Sequence, residues 1–373
     1  MQHLDALLRH ATEDGTIPGA VVCVAHGSDI VWHEAYGAAA QTPEWRPMQR
    51  HTIFDLASLT KVIATTSLIL VAHHEGVCRL DDALERFYPQ TAKTPLGAVT
   101  VRQLLAHSGG LAAWTPLYQA LCPCGPQAGD AATAHMRRRQ AKDLIVQLPL
   151  VYPAGSQMLY SDLGFILLAD ILEIQYRQSL ESLFLDRVAR PLGLGATAYC
   201  PVGGTSPLPT SPLAYAATEA CTWRGRVLVG EVHDENAWAM GGVAGHAGLF
   251  ATASDVWCFV RALLDTASGN RIWLPPTLLH ESWQRYTDVP GSTRALGWDT
   301  PTAGRSSAGT WFPAASIGHL GFTGCSVWCD LTHQVTVVLC TNRVHPTRHA
   351  TSITRLRPAV HNLVMQHLGV ATS

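Results

Sequence analysis

The placement of the β-patterned residues constrains this chain most. Near the N-terminus, "GAVVCVAHGSDIVWHEAYG" alternates and turns at "HGSD", which predicts a β-hairpin over about residues 20–37. Strand patterns return only late, where "IGHLGFTGCSVWCDLTHQVTVVLCTNR" predicts two strands with a turn near "DLTHQ". From about 79 to 200 the periodicity is mainly helical, as in "MRRRQAKDLIVQL" and "SDLGFILLADILEIQYR". Strands at both ends with helices between them predict an α/β (α+β) fold. An antiparallel sheet is built from N- and C-terminal segments, flanked by helices, with a mostly helical region inserted. The expected division is one domain over 1–373. Residues 1–78 and about 240–373 form its sheet part, and about 79–239 form the inserted helical part. A groove between two such layers is a natural ligand site.

Two helices bracket the strands: an N-terminal one with Leu4, Leu7, Leu8 and Ala11 on one face, and a closing one from about 349 to 368. A third is expected from near Ser58 to about Glu75, ending at Gly76. Only 14% of residues are charged and the net charge is −2 with no basic run, so nucleic acid is not an expected partner. Apolar stretches break well before the ~20 residues of a membrane span, and no signal-peptide pattern is visible. The expected location is the cytoplasm if Met1 is the native start, and the periplasm or the exterior if the sequence is a trimmed mature form. Ten cysteines, most in apolar contexts such as "VVCVA", read as buried free thiols.

Lysine is scarce: Lys61, Lys93 and Lys142 are the only three. Lys61 lies in "FDLASLTKVIATT", three positions after Ser58. On a helix that spacing puts both side chains on one face. A desolvated lysine of lowered pKa could accept the serine proton, and apolar company is expected to lower the pKa of Lys61 in this way. Ser58 at a helix start would also have backbone N–H groups suited to an oxyanion. Read alone, the same residues describe a helix cap and a snorkelling lysine.

Two further groups change the balance. "YSDLGF" offers Tyr160 as a second proton carrier, with Asp162 beside it. "GHLGFTG" places His319, Leu320 and Gly321 on a strand, where glycine lets a substrate backbone approach. The amide of Phe322 could then be a second oxyanion donor.

The ordered set Ser-x-x-Lys, Tyr-x-Asp and His-x-Gly resembles the signature of the serine β-lactamase and penicillin-binding-protein superfamily. Gaps of 102 residues from Ser58 to Tyr160 and 159 from Tyr160 to His319 resemble its class C branch. "VHDENAWAMGGVAGHAGLF" and "TNRVHP" are most similar to the low-molecular-weight group that includes penicillin-binding protein 4B. The resemblance implies an acyl-enzyme serine hydrolase of DD-carboxypeptidase or esterase-like activity, with no metal or cofactor. A penicilloyl-binding sensor and a β-lactamase are the alternatives. It implies a catalytic set of Ser58 as nucleophile, Lys61 and Tyr160 as proton carriers, and His319 as a polar, titratable group beside the nucleophile. The amides of Ser58 and Phe322 would form the oxyanion hole, with Asp162, Leu320 and Gly321 contacting a small-molecule or peptide substrate, such as one ending in D-alanine.

Two departures matter. Asp162 stands where these β-lactamases have asparagine, and an ionised carboxylate cannot donate to a substrate carbonyl. His319-Leu320-Gly321 stands where they have Lys-Thr-Gly. His319 can take over the donor role, but Leu320 has no hydroxyl to hold a substrate carboxylate. Carboxylate recognition is therefore expected to weaken by about ten- to a hundredfold, which argues against an efficient β-lactamase. "VHDENA" (His233, Asp234, Glu235) and "HPTRH" (His345, His349) read as loop hydrogen-bond networks in preference to metal sites. "HSGG", starting at His107, reads as a turn after a helix, and no G-x-S-x-G elbow is present.

Overall fold

The computed structural model describes residues 1–370. Along the chain we label α1 (Gln2–Glu13), β1 (Gly19–His26), β2 (Asp29–Ala40), β3 (Arg46–Pro47), α2 (Ser67–His74), α3 (Asp162–Tyr176), α4 (Ala253–Ala267), β4 (Ile317–Leu320), β5 (Ser326–Asp330), β6 (Val335–Thr341) and α5 (Ile353–His367). Six strands form one sheet in the order β3-β2-β1-β6-β5-β4. Every neighbouring pair is antiparallel, and the two chain ends meet where Cys23 of β1 lies opposite Val338 of β6. The antiparallel sheet of N- and C-terminal segments expected from the sequence is thus observed, with two more strands than expected.

Period-two alternation divides the buried strands between two cores. Val21, Cys23, Val338 and Cys340 face Phe259 and Leu263 of α4. Val22, Val24, Val337 and Leu339 face Leu4 and Leu8 of α1 together with Val360 and Val364 of α5. With helices on both faces, β1 is buried along nearly its whole length. All ten cysteines are free thiols. Among the described residues no helix is long and apolar enough to cross a membrane.

Two sequence expectations need correction. The stretch from Ile317 to Asp330 was expected to be one strand and is two, because the chain turns back between Gly321 and Gly324, where Gly324 takes φ +122°. The region after about 190 also contributes short strands. Thr197–Tyr199 and Phe54–Asp55 flank Leu249–Ala251 in a small three-stranded sheet, and Ala217–Cys221 pairs with Arg226–Val229. The strands of the three-stranded sheet, two or three residues each, carry too little alternation to be read, and their partners are distant in sequence.

Candidate active site

The small sheet delivers Ser58. Phe54 and Asp55 pair with Ala251 and Phe250, and the chain then turns sharply through Ala57 at φ +46°. A non-glycine residue held there costs about 1–3 kcal/mol and persists only where its surroundings enforce it. The enforcement is Asp55, whose buried carboxylate accepts from the N–H of Ala57 at 2.8 Å and of His233 at 2.6 Å. Ser58 follows, and the chain winds into a helical run over 59–74, π-helical across Lys61–Thr66 and α-helical through α2. Gly76, at φ +73°, ends it where the sequence placed the stop.

Lys61 is fully buried, and its ammonium has three oxygen neighbours. It donates to Ser58 Oγ at 2.9 Å and to the carbonyl of His246 at 3.1 Å, and forms an ion pair with Asp162 Oδ1 at 2.7 Å. Burial pushes its pKa down, but the charge of Asp162 and then the interaction with Tyr160 outweigh burial, so the net shift is upward. This corrects the expectation of a lowered pKa. The apolar neighbours in sequence are real, but a carboxylate from another element decides the sign. Asp162 correspondingly faces Lys61 as its charge partner.

Tyr160 is seated by the "HSGG" turn. His107, at φ +56°, packs tilted against the Tyr160 ring with centroids 4.4 Å apart, and its Nδ1 accepts from the N–H of Ser161 at 3.0 Å. Two cations lie against the same ring, Lys61 Nζ at 4.9 Å and the Arg294 guanidinium at 5.1 Å from its centroid. The Tyr160 hydroxyl is buried without a protein partner among the described residues.

His319 lies on the edge strand β4, opposite Val327, with its ring 5.9 Å from that of Tyr160. Its Nδ1 is 2.9 Å from the carbonyl of Leu320, and a carbonyl only accepts, so Nδ1 carries the proton. Burial first, then the charges of Arg294 and Lys61, hold its pKa well below the usual histidine value. His319 is therefore neutral, and Nε2 is a bare acceptor. The expected donor role of His319 is corrected on this geometry.

Ser58, Tyr160, Asp162, His319, Leu320, Gly321 and Phe322 all line one cavity of about 730 Å³. Its wall after β4 is docked on the nucleophile turn, since Thr323 Oγ1 donates to the carbonyl of Asp55 at 2.7 Å. A Cβ on Gly321 would meet the carbonyl oxygen of Leu56 at 2.5 Å. Gly321→Ala should therefore push the Phe322 segment away from Ser58. We expect a cost of about 1–3 kcal/mol in stability and a kcat loss of about 10²-fold, the order of losing one oxyanion donor. Urea midpoints and ester turnover measured on one preparation check both.

No role for Arg294 or His246 was legible in the sequence, although His246 lies in the quoted segment "GGVAGHAGLF". His246 Nε2 contacts Asp234 Oδ1 at 2.9 Å. Burial opposes ionisation of Asp234, but His246 outweighs it and holds the carboxyl well below the usual range. Among the described residues, Asp162, Asp234 and His246 are the one group whose ligand atoms, all within 4.8 Å of one another, could hold a metal. The ammonium of Lys61 already stands beside Asp162 as a cation. The other polar clusters are hydrogen-bonded: His233 to Glu219, Arg348 to Glu219 and Glu235, and His345 to the carbonyl of Thr218 and the amide of Gln41. His349 is exposed.

The chain matches the family model described as Beta-lactamase over residues 4–361. A relative from Escherichia coli (strain K12) named "Putative D-alanyl-D-alanine carboxypeptidase" is 30% identical over 365 residues, covering 88% of this chain and 79% of its own. Two solved structures share the fold. "EstCE1, a hydrolase with promiscuous acyltransferase activity" superposes with a TM-score of 0.72 at 22% identity, covering 96% of this chain and 98% of its own. The octameric penicillin-binding protein homologue from Pyrococcus abyssi gives 0.73 at 18%, covering 99% and 77%. This chain belongs to the β-lactamase family and is a serine hydrolase.

Proposed function

We propose that the chain hydrolyses esters or amides through an acyl-enzyme on Ser58, with short esters and peptides ending in D-alanine as its substrate classes. The E. coli relative's name supports the peptide side of this reading. One observation carries the site assignment: a buried ammonium donates to Ser58 Oγ at 2.9 Å while paired to a carboxylate at 2.7 Å, beside a cavity of about 730 Å³.

Lys61 becomes a proton acceptor by handing one proton to Asp162 across their contact, which leaves a neutral pair. Ser58 then attacks the carbonyl carbon as its proton passes to Lys61. The oxyanion formed is held by the amides of Ser58 and Phe322. Tyr160 gives its proton to the leaving group and recovers one from Lys61, and Asp162 returns its proton to Lys61. The Ser58 proton thus ends on the leaving group, and the two cations against the Tyr160 ring oppose the charge it briefly carries. Hydrolysis runs the same relay from a water, whose proton ends on Ser58.

The test is to mix the protein with p-nitrophenyl acetate, a D-Ala-D-Ala peptide and a fluorescent penicillin, following product release and adduct mass together. An acyl group mapped to Ser58 with turnover of ester or peptide is the expected result. A long-lived penicilloyl adduct with negligible turnover of all three would replace the hydrolase reading by a sensor. Turnover with the acyl group on another residue would sink the site assignment.

A further inference from the structure

Four arginines line the cavity: Arg294, Arg343, Arg348 and Arg357. Three are tied to the protein. Arg343 donates to the carbonyls of Phe322, Arg348 and Ala350. Arg348 is held by Glu219 and Glu235, and Arg357 donates Nη2 to the carbonyls of Gly321 and Cys325. Arg294 differs. Among the described residues its guanidinium makes no hydrogen bond, its Nε is buried without a partner, and its charge partner Asp299 is 3.6 Å away.

The backbone aims this side chain firmly. Arg294 and Asp299 face each other across a tight turn closed by the N–H of Ala295 on the carbonyl of Trp298. At the turn, Gly297 is pinned by its N–H to the carbonyl of Leu105, and a Cβ there would overlap Thr66 at 2.0 Å. Asp299 then exchanges two backbone hydrogen bonds with Gly318 on β4. Arg294 is thereby fixed between the Tyr160 ring and the strand that carries His319 and Leu320.

We propose that Arg294 is the receptor for an anionic group of the substrate, a carboxylate, and does the work that apolar Leu320 cannot. The inference rests on the hydrolase reading above. A planar guanidinium with unspent donors suits a carboxylate, which must compete only with the stretched contact to Asp299. Arg294 therefore sets specificity at the existing site. The weakened carboxylate recognition expected from Leu320 is offset by a cation on another loop.

The experiment compares two acetate esters that differ only in the charge of the leaving group, 3-acetoxybenzoate and its methyl ester. Wild-type protein should prefer the anion by about ten- to a hundredfold in kcat/KM, the effect of one charge-assisted hydrogen bond. Raising the salt concentration should leave most of that preference, because the site is largely buried. Arg294→Gln should collapse the ratio mainly through KM for the anion, and Arg294→Lys should restore part of it. Turnover of both esters by wild type with a ratio near one overturns the Arg294 proposal and leaves the hydrolase reading standing. Turnover of neither ester, nor of a D-Ala-D-Ala peptide, overturns both. A wild-type preference that survives in Arg294→Gln assigns the anion to another group and also overturns the proposal.

Discussion

Lys61→Met will lower kcat for ester hydrolysis by about 10²–10⁴-fold, the span that a positioned acid–base group contributes. The change removes in one step the hydrogen bond to Ser58 Oγ and the only cation paired with Asp162 among the described residues. KM should move little, since neither group carries substrate binding in this reading. The variant will also be less stable. Breaking a buried pair by removing one partner costs about 3–5 kcal/mol, because the remaining charge is left uncompensated. Stability and catalysis must therefore be separated. Adding Asp162→Asn to Lys61→Met removes the orphaned carboxylate and should recover much of the stability while the rate stays low. Stopped-flow acylation by p-nitrophenyl acetate, run beside urea unfolding of both variants, reads the two effects independently. A single variant within tenfold of wild-type acylation would remove Lys61 from the proton path.

What could be read in the sequence, and what could not, follows from how far each determinant reaches. The hairpin of β1 and β2, the stop at Gly76 and the amphipathic α5 are set by residues within one or two turns of one another, so their periodicity shows. The motif spacing brought Ser58, Tyr160 and His319 into view because each sits at an element end that its own neighbours define. The state of Lys61 was misread because its neighbours in sequence are apolar while its partner, Asp162, arrives from the start of α3. His319 was read as a donor for a similar reason. Its tautomer is fixed by the carbonyl of Leu320 and its charge by burial first and then by Arg294 and Lys61, none of which a strand pattern reveals. Arg294 had no local signal except its position two residues before "LGW", and only the fold shows its donors unspent.

Asp162→Asn should reverse the sign of the pH dependence that Lys61 lends to stability. In the wild type the folded pKa of Lys61 lies above its unfolded value of about 10.4. The native state holds that proton more tightly, so the contribution is fully present below about pH 10.4 and is lost as pH rises through the folded value. Asparagine removes the strongest influence that raises the pKa. Burial, the largest influence of all, is then opposed only by the interaction with Tyr160 and is expected to pull the pKa below the unfolded value. Between the lowered folded pKa and about 10.4 the unfolded chain binds more protons than the native one, so stability rises with pH across that window. At neutral pH the variant carries an unpaired buried ammonium and should be about 3–5 kcal/mol less stable than wild type. The deficit should shrink toward pH 10. Catalysis should track the same titration, because neutral Lys61 can accept the Ser58 proton without Asp162, so kcat of the variant climbs over the window in which its stability climbs. Urea unfolding and ester turnover at intervals from pH 7 to 10 test both limbs. Stability curves for variant and wild type that stay parallel would mean that Asp162 does not set the charge of Lys61, and the relay through their contact would fall with it.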